Sequence, residues 1–113
     1  MGLNAGDLNR RIQIRRATSV PDGLGGETET WADLGSPIAA MRRDVSDGER
    51  LSAAAWDNKL VTRFTVRSSA FSKGIKRTDR LTHEGITYVI DGIKEVPGRR
   101  AFLEITAVTG EVE

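Results

Sequence analysis

Arg11-Ile12-Gln13-Ile14-Arg15 alternates strictly between apolar and polar residues. Ile12 and Ile14 fall on one face and the charges on the other, the pattern of a strand with one buried side. Outward from it, Ser19-Val20-Pro21-Asp22-Gly23-Leu24-Gly25-Gly26 reads as a loop, because proline, aspartate and three glycines interrupt any regular element. Thr28 to Asp33 resumes an extended pattern. Gly35-Ser36-Pro37 punctuates it, and Ile38-Ala39-Ala40-Met41 continues as strand, with Pro37 marking an edge, a bulge or a break.

Farther on, Leu60-Val61-Thr62-Arg63-Phe64-Thr65-Val66-Arg67 alternates again. Leu60, Thr62, Phe64 and Val66 share a face, and Arg63 and Arg67 point the other way. Ser68 to Asp79 is polar and basic and reads as a loop. Arg80-Leu81-Thr82-His83 and Ile86-Thr87-Tyr88-Val89-Ile90 flank Glu84-Gly85, which predicts a tight hairpin with the glycine at positive φ. A last strand is expected over Ala101–Val108, after a Pro97-Gly98 turn. One helix interrupts this order: Ser46-Asp47-Gly48-Glu49 has the form of a capping box before an alanine-rich stretch, predicting a short helix from about Asp47 to Trp56. The fold class expected is mostly β: a small single-domain β-barrel of about six short strands, with one short helix or long loop inserted between early strands.

The 113 residues suit one domain spanning 1–113, and 38% hydrophobic against 29% charged residues is an ordinary globular balance. Such a chain buries about 65% of the surface it exposes when unfolded, so oligomerisation is expected to help stabilise it. Only six residues are aromatic. Trp31 is read as core, Trp56 as a helix anchor or interface residue, and Phe71 as a protein-contact anchor in a loop. With no cysteine, neither disulfides nor thiolate metal sites are available. No apolar run approaches a membrane span, and Met1 to Arg16 has no signal-peptide core.

Catalysis is not expected. His83 is the sole histidine and reads as a solvent-exposed residue beside a turn, and one ligand does not make a metal site. Neither a nucleophile elbow nor a phosphate loop is present. The glycine-rich segment at Asp22–Gly26 does not lead from a strand into a helix and reads as a flexible loop. No catalytic residue, metal or cofactor is assigned.

Charge is more informative. Lys59, Arg63, Arg67, Lys73, Lys76, Arg77 and Arg80 lie in one stretch with a single acid, Asp79, for a net +6. The rest of the chain, with 10 basic and 15 acidic residues, carries −5. The stretch is either a solvated face balanced by acids elsewhere or a contact surface for DNA phosphates or an acidic partner protein. A free-standing nucleic-acid-binding barrel is the alternative function.

Four segments, in order, carry a family resemblance: Asn4-Ala5-Gly6-Asp7-Leu8-Asn9-Arg10-Arg11-Ile12-Gln13-Ile14; Asp22-Gly23-Leu24-Gly25-Gly26-Glu27 followed by Trp31; Ser46-Asp47-Gly48-Glu49; and Arg80 to Ile90. Together they resemble the phage head-tail joining proteins, the head-completion or stopper proteins of tailed phages and gene transfer agents. The resemblance implies a non-enzymatic connector subunit at the head–tail interface of a virion or phage-like particle. It implies a ring below the portal that extends or seals the DNA channel and docks the tail. The implied partners are the portal or adaptor protein, a tail-terminator or tail protein, further copies of the chain and packaged double-stranded DNA, with no membrane. It also implies a channel loop over Asp44 to Asn58. Asp44, Ser46, Asp47, Glu49, Arg50, Leu51 and Trp56 are the candidates for that loop or for a subunit interface.

Overall fold

The computed structural model describes residues 5–45, 61–96 and 98–109. A 3-10 turn at Ala5–Asp7 leads into β1 (Arg10–Pro21), followed by β2 (Glu27–Asp33), β3 (Ile38–Asp44), β4 (Val61–Arg67), a one-turn helix α1 (Ala70–Lys73), β5 (Arg80–His83), β6 (Ile86–Val96) and β7 (Arg99–Thr109). Every pairing is antiparallel, in the order β2-β1-β3-β4-β7-β6-β5, and β5 returns to pair with β1. The sheet therefore closes on itself.

The alternation in β1 is realised as read: Ile12 and Ile14 are buried and their neighbours are not. The strand is longer than its alternating segment. It runs on through Pro21 because its far half pairs with β2, so the turn is confined to Asp22–Gly26. There the Asp22 carboxylate accepts from the Leu24 amide (2.7 Å) and the Gly26 amide (3.0 Å), and these bonds hold its carboxyl below the ordinary range. The segment read as a flexible loop is thus a closed turn tied by its own aspartate.

Seven strands appear among the described residues where about six were expected, and the reason lies at Pro37. β3 pairs with Arg10–Ile12 and β2 with Arg15–Pro21; between them the Leu34 amide donates to the Ile14 carbonyl at 2.8 Å. β2 and β3 thus run along one edge of β1, broken by a bulge at Leu34–Pro37. Gly35 takes φ +68° there, and Gln13 Nε2 donates to the Gly35 carbonyl at 3.1 Å. The Glu84-Gly85 hairpin forms as predicted, with φ of 51° and 81°.

The interior is filled by Ile12, Ile14, Ala40, Phe64, Val66, Ile75, Leu81, Tyr88, Ile90, Leu103, Ile105 and Ala107. β4 is buried on both faces. Thr62, Phe64 and Val66 point into the closed sheet, and Val61 packs outside it with Val45 and Val108. Leu60 and the helix expected over Asp47–Trp56 lie outside the described residues.

The structure also corrects the readings of Ser68–Asp79, Phe71 and His83. The Ser68–Asp79 segment is not simply a loop: Ser69 caps α1 by accepting from the Ser72 amide, and the Ser72 hydroxyl accepts from the Ser69 amide at 2.8 Å. Phe71, on that turn, is not a free anchor; it packs against the core at the Leu34–Pro37 bulge. His83 is not solvent-exposed, because β5 alternates Leu81 and His83 inward. Its ring meets Phe64 edge-on at 5.5 Å, and Nδ1 donates to the Arg11 carbonyl at 3.0 Å.

A β-carbon at Gly35 would sit 2.7 Å from Phe71 Cε1, on top of the positive φ. Gly35→Ala is therefore expected to destabilise the fold by about 2 kcal/mol in denaturant unfolding. In a Phe71→Ala background the same change should cost only about 1 kcal/mol, the backbone part alone.

Candidate functional site

The seven cations of the Lys59–Arg80 stretch do not form one patch. Lys59 lies outside the described residues. Arg63 points to the outside of β4, 4.0 Å from Glu104; Arg43 (3.9 Å) and Lys94 (3.6 Å) approach the same carboxylate. Arg67 is exposed at the end of β4, and Lys73 is in the last turn of α1. Lys76, Arg77 and Arg80 are brought together, and they line an open cleft of about 710 Å³. Of the proposed channel-loop residues, Asp44 ends β3 and accepts from Arg42 Nε (3.1 Å) and the Thr62 hydroxyl (3.3 Å). Ser46, Asp47, Glu49, Arg50, Leu51 and Trp56 lie outside the described residues.

The cleft exists because β5 leaves β1. The two strands pair only at Gln13–Thr82, Ile14–Leu81 and Arg15–Arg80. Before Arg80 the chain swings away through Lys76–Asp79, while β1 continues with β2 as a two-stranded arm. The arm spans about 17 Å from Arg16 to Pro21 at the rise of an extended strand. The gap between this arm and the Lys76–Asp79 segment is the cleft.

Two residues that the sequence reading did not assign to a site, Trp31 and Arg16, build its walls. Trp31 is half-buried on β2 rather than in the core, since its position faces the arm's surface beyond the closed sheet. The Arg80 guanidinium lies 4.6 Å from the centre of its ring, within the range of a cation–π contact. Arg16 reaches the other side: Nε and Nη2 each donate to the Asp79 carboxylate at 2.8 Å, and Nη2 also donates to the Gly74 carbonyl at 2.9 Å. Asp79 is only 2% exposed and also accepts from the Lys76 amide at 2.8 Å. The sequence carried one signal for this pair. Arg16 has the parity of Ile12 and Ile14, so a guanidinium occupies an inward position and requires a buried carboxylate.

Burial pushes the Asp79 carboxyl up, but the hydrogen bonds from Arg16 and the Lys76 amide, with the charges of both side chains, outweigh it and hold the group below its ordinary value. The Arg16 guanidinium is raised by its bond to Asp79, against the cost of desolvation. The cleft offers four cations against two carboxylates, Asp79 and Glu29, and Asp79 is engaged by Arg16. Lys76, Arg77 and Arg80 therefore face Glu29 alone, beside the aromatic surface of Trp31.

The chain matches the family described as phage head completion protein over residues 3–110. Among solved structures, the solution structure of protein SF1141 from Shigella flexneri 2a is 28% identical with a TM-score of 0.74, covering 98% of this chain and 100% of that one. A chain from the virion of a native gene transfer agent particle is 21% identical with a TM-score of 0.69, covering 94% of this chain and 97% of that one. A comparison with curated proteins found no match.

Because the folded carboxyl of Asp79 is depressed, its ionic contribution to stability is fully present above the unfolded value of about 3.9 and is lost as pH falls through the folded value. The stability difference between the wild type and Asp79→Asn should therefore be constant near neutrality and shrink below about pH 4 in denaturant titrations. Arg16→Met, which leaves the buried carboxylate unpaired, should cost about 3 kcal/mol at pH 7.

Proposed function

Because the chain belongs to the phage head completion protein family, we propose that its structural role in completing the head is carried out as one subunit of a ring below the portal. The ring extends or seals the DNA channel after packaging and presents the surface on which the tail docks. The observation that carries this reading is the family match over residues 3–110, nearly the whole chain. In this reading the protein works at the head–tail junction, its partners are the portal or adaptor on one side and a tail protein on the other, and it catalyses nothing.

Two features support an assembled form. Among the described residues, the strand edges left without a partner strand lie in the β1–β2 arm, along Met41–Asp44 of β3 and in the far part of β6. Such edges are the parts of a β protein that neighbouring copies can cover. The arm's tip carries Leu24, 91% exposed and apolar, at the end of a turn held rigid by Asp22. Repetition of one heterologous contact around an axis gives a closed ring without any twofold patch. In the ring, the segment after Asp44 is read as the channel loop. The cations at Lys59, Arg63, Arg67 and Lys73 are read as contacts to DNA or to an acidic portal face.

Particles made without this protein should contain filled heads that leak DNA and lack tails, and adding the purified chain to those heads should restore tail joining, scored by electron microscopy and plaque formation. Normal tail joining in its absence would end the proposal. Salt-dependent DNA binding by a monomer that ignores portal rings would transfer the function to free nucleic-acid binding.

A further inference from the structure

In β1 the Ile14 carbonyl points towards the β2–β3 edge, where it accepts from the Leu34 amide, and the Arg11 carbonyl points towards β5, where it accepts from His83. Backbone groups alternate sides along a strand. Ala17 and Ser19 therefore direct their N–H and C=O groups to the β5 side. β5 is absent there, because its pairing begins at Arg15–Arg80. This bare edge continues the line of β5 and lies against the cleft, which Ala17 itself lines.

The surroundings select what can pair with it. On one face, Trp31 stands directly opposite Ala17 with Arg80 over its ring. On the other, Arg16 is fixed by Asp79. Lys76 and Arg77 are exposed and line the outer side. We propose that the edge of β1 at Ala17 and Ser19 binds an extended acidic segment of a partner protein by strand addition, in the cleft between the arm and the Lys76–Arg80 segment. Main-chain bonds to Ala17 and Ser19 give the affinity, and the carboxylates of alternate residues meet Lys76, Arg77 and Arg80. A duplex nucleic acid fits less well: it is a broad convex rod and has no strand edge to complete. The inference goes beyond the head-completion role and stands or falls separately from it.

The probe is a synthetic peptide of alternating Glu and Thr residues, tested on the full chain by NMR. Binding should slow hydrogen exchange at the Ala17 and Ser19 amides and shift the Trp31 indole resonance. The double variant Lys76→Glu/Arg77→Glu, both exposed positions, should weaken binding about tenfold. Ser19→Pro removes one donor at an unpaired edge, where proline is tolerated, and should abolish the protection at Ala17. The same peptide with all amides N-methylated keeps the charge and should not bind. Equal affinity for the methylated peptide, no binding of either peptide, or binding of a duplex oligonucleotide at these residues in their place would each overturn the proposal.

Discussion

Three residue pairs close this sheet: Gln13–Thr82, Ile14–Leu81 and Arg15–Arg80. At Arg15 the strand is paired on both edges, to Asp33 in β2 and to Arg80 in β5. This short seam brings both ends of the strand order to one place. Without it, Ile12 and Ile14 would face an open sheet, and the interior that Phe64, Leu81, Tyr88 and Ile105 fill would be exposed to water. The side chain of Gln13 strengthens the same place by bonding across the bulge to the carbonyls of Leu34 and Gly35. The seam is short because β5 has only four residues.

The separation of the two strands beyond the seam determines the surface. One residue past it, Arg16 still points inward, where the core has ended, and Asp79 meets it as the chain enters β5. The pair fixes the point at which the strands part. Asp79 is also the single acid in the stretch whose net charge is +6. That acid is therefore internal, and the cations around it keep their charge at the surface. The arm, the cleft and the placement of Lys76, Arg77 and Arg80 are all consequences of this parting.

The basic stretch is contiguous in sequence and dispersed in space. β4 turns Arg63 towards Glu104, where Arg43 and Lys94 also converge, so three cations share one carboxylate at a place separate from the cleft. α1 and the turn after it carry Lys73, Lys76 and Arg77 round to another side, and Phe71 seated at the Gly35 bulge sets their position. A net charge summed along the chain therefore overstated a single patch and missed the smaller site that forms with Arg16 and Trp31 from the first third of the chain.

Mostly-β architecture, the turns at Asp22–Gly26 and Glu84–Gly85, and the break at Pro37 were legible in the sequence, because alternation, glycine and proline act within a few residues. The order of the four motifs made the family legible as well. The burial of His83 and Phe71 was not, since both depend on which strands lie opposite them. The sequence by itself determined that strands form, which faces of β1 and β4 turn inward, and where the chain reverses. Only the tertiary structure decided that β5 returns to β1 for three pairs and then departs, pairing Arg16 with Asp79 across 63 positions and Trp31 with Arg80 across 49. Those contacts depend on register between distant strands, which no local pattern encodes.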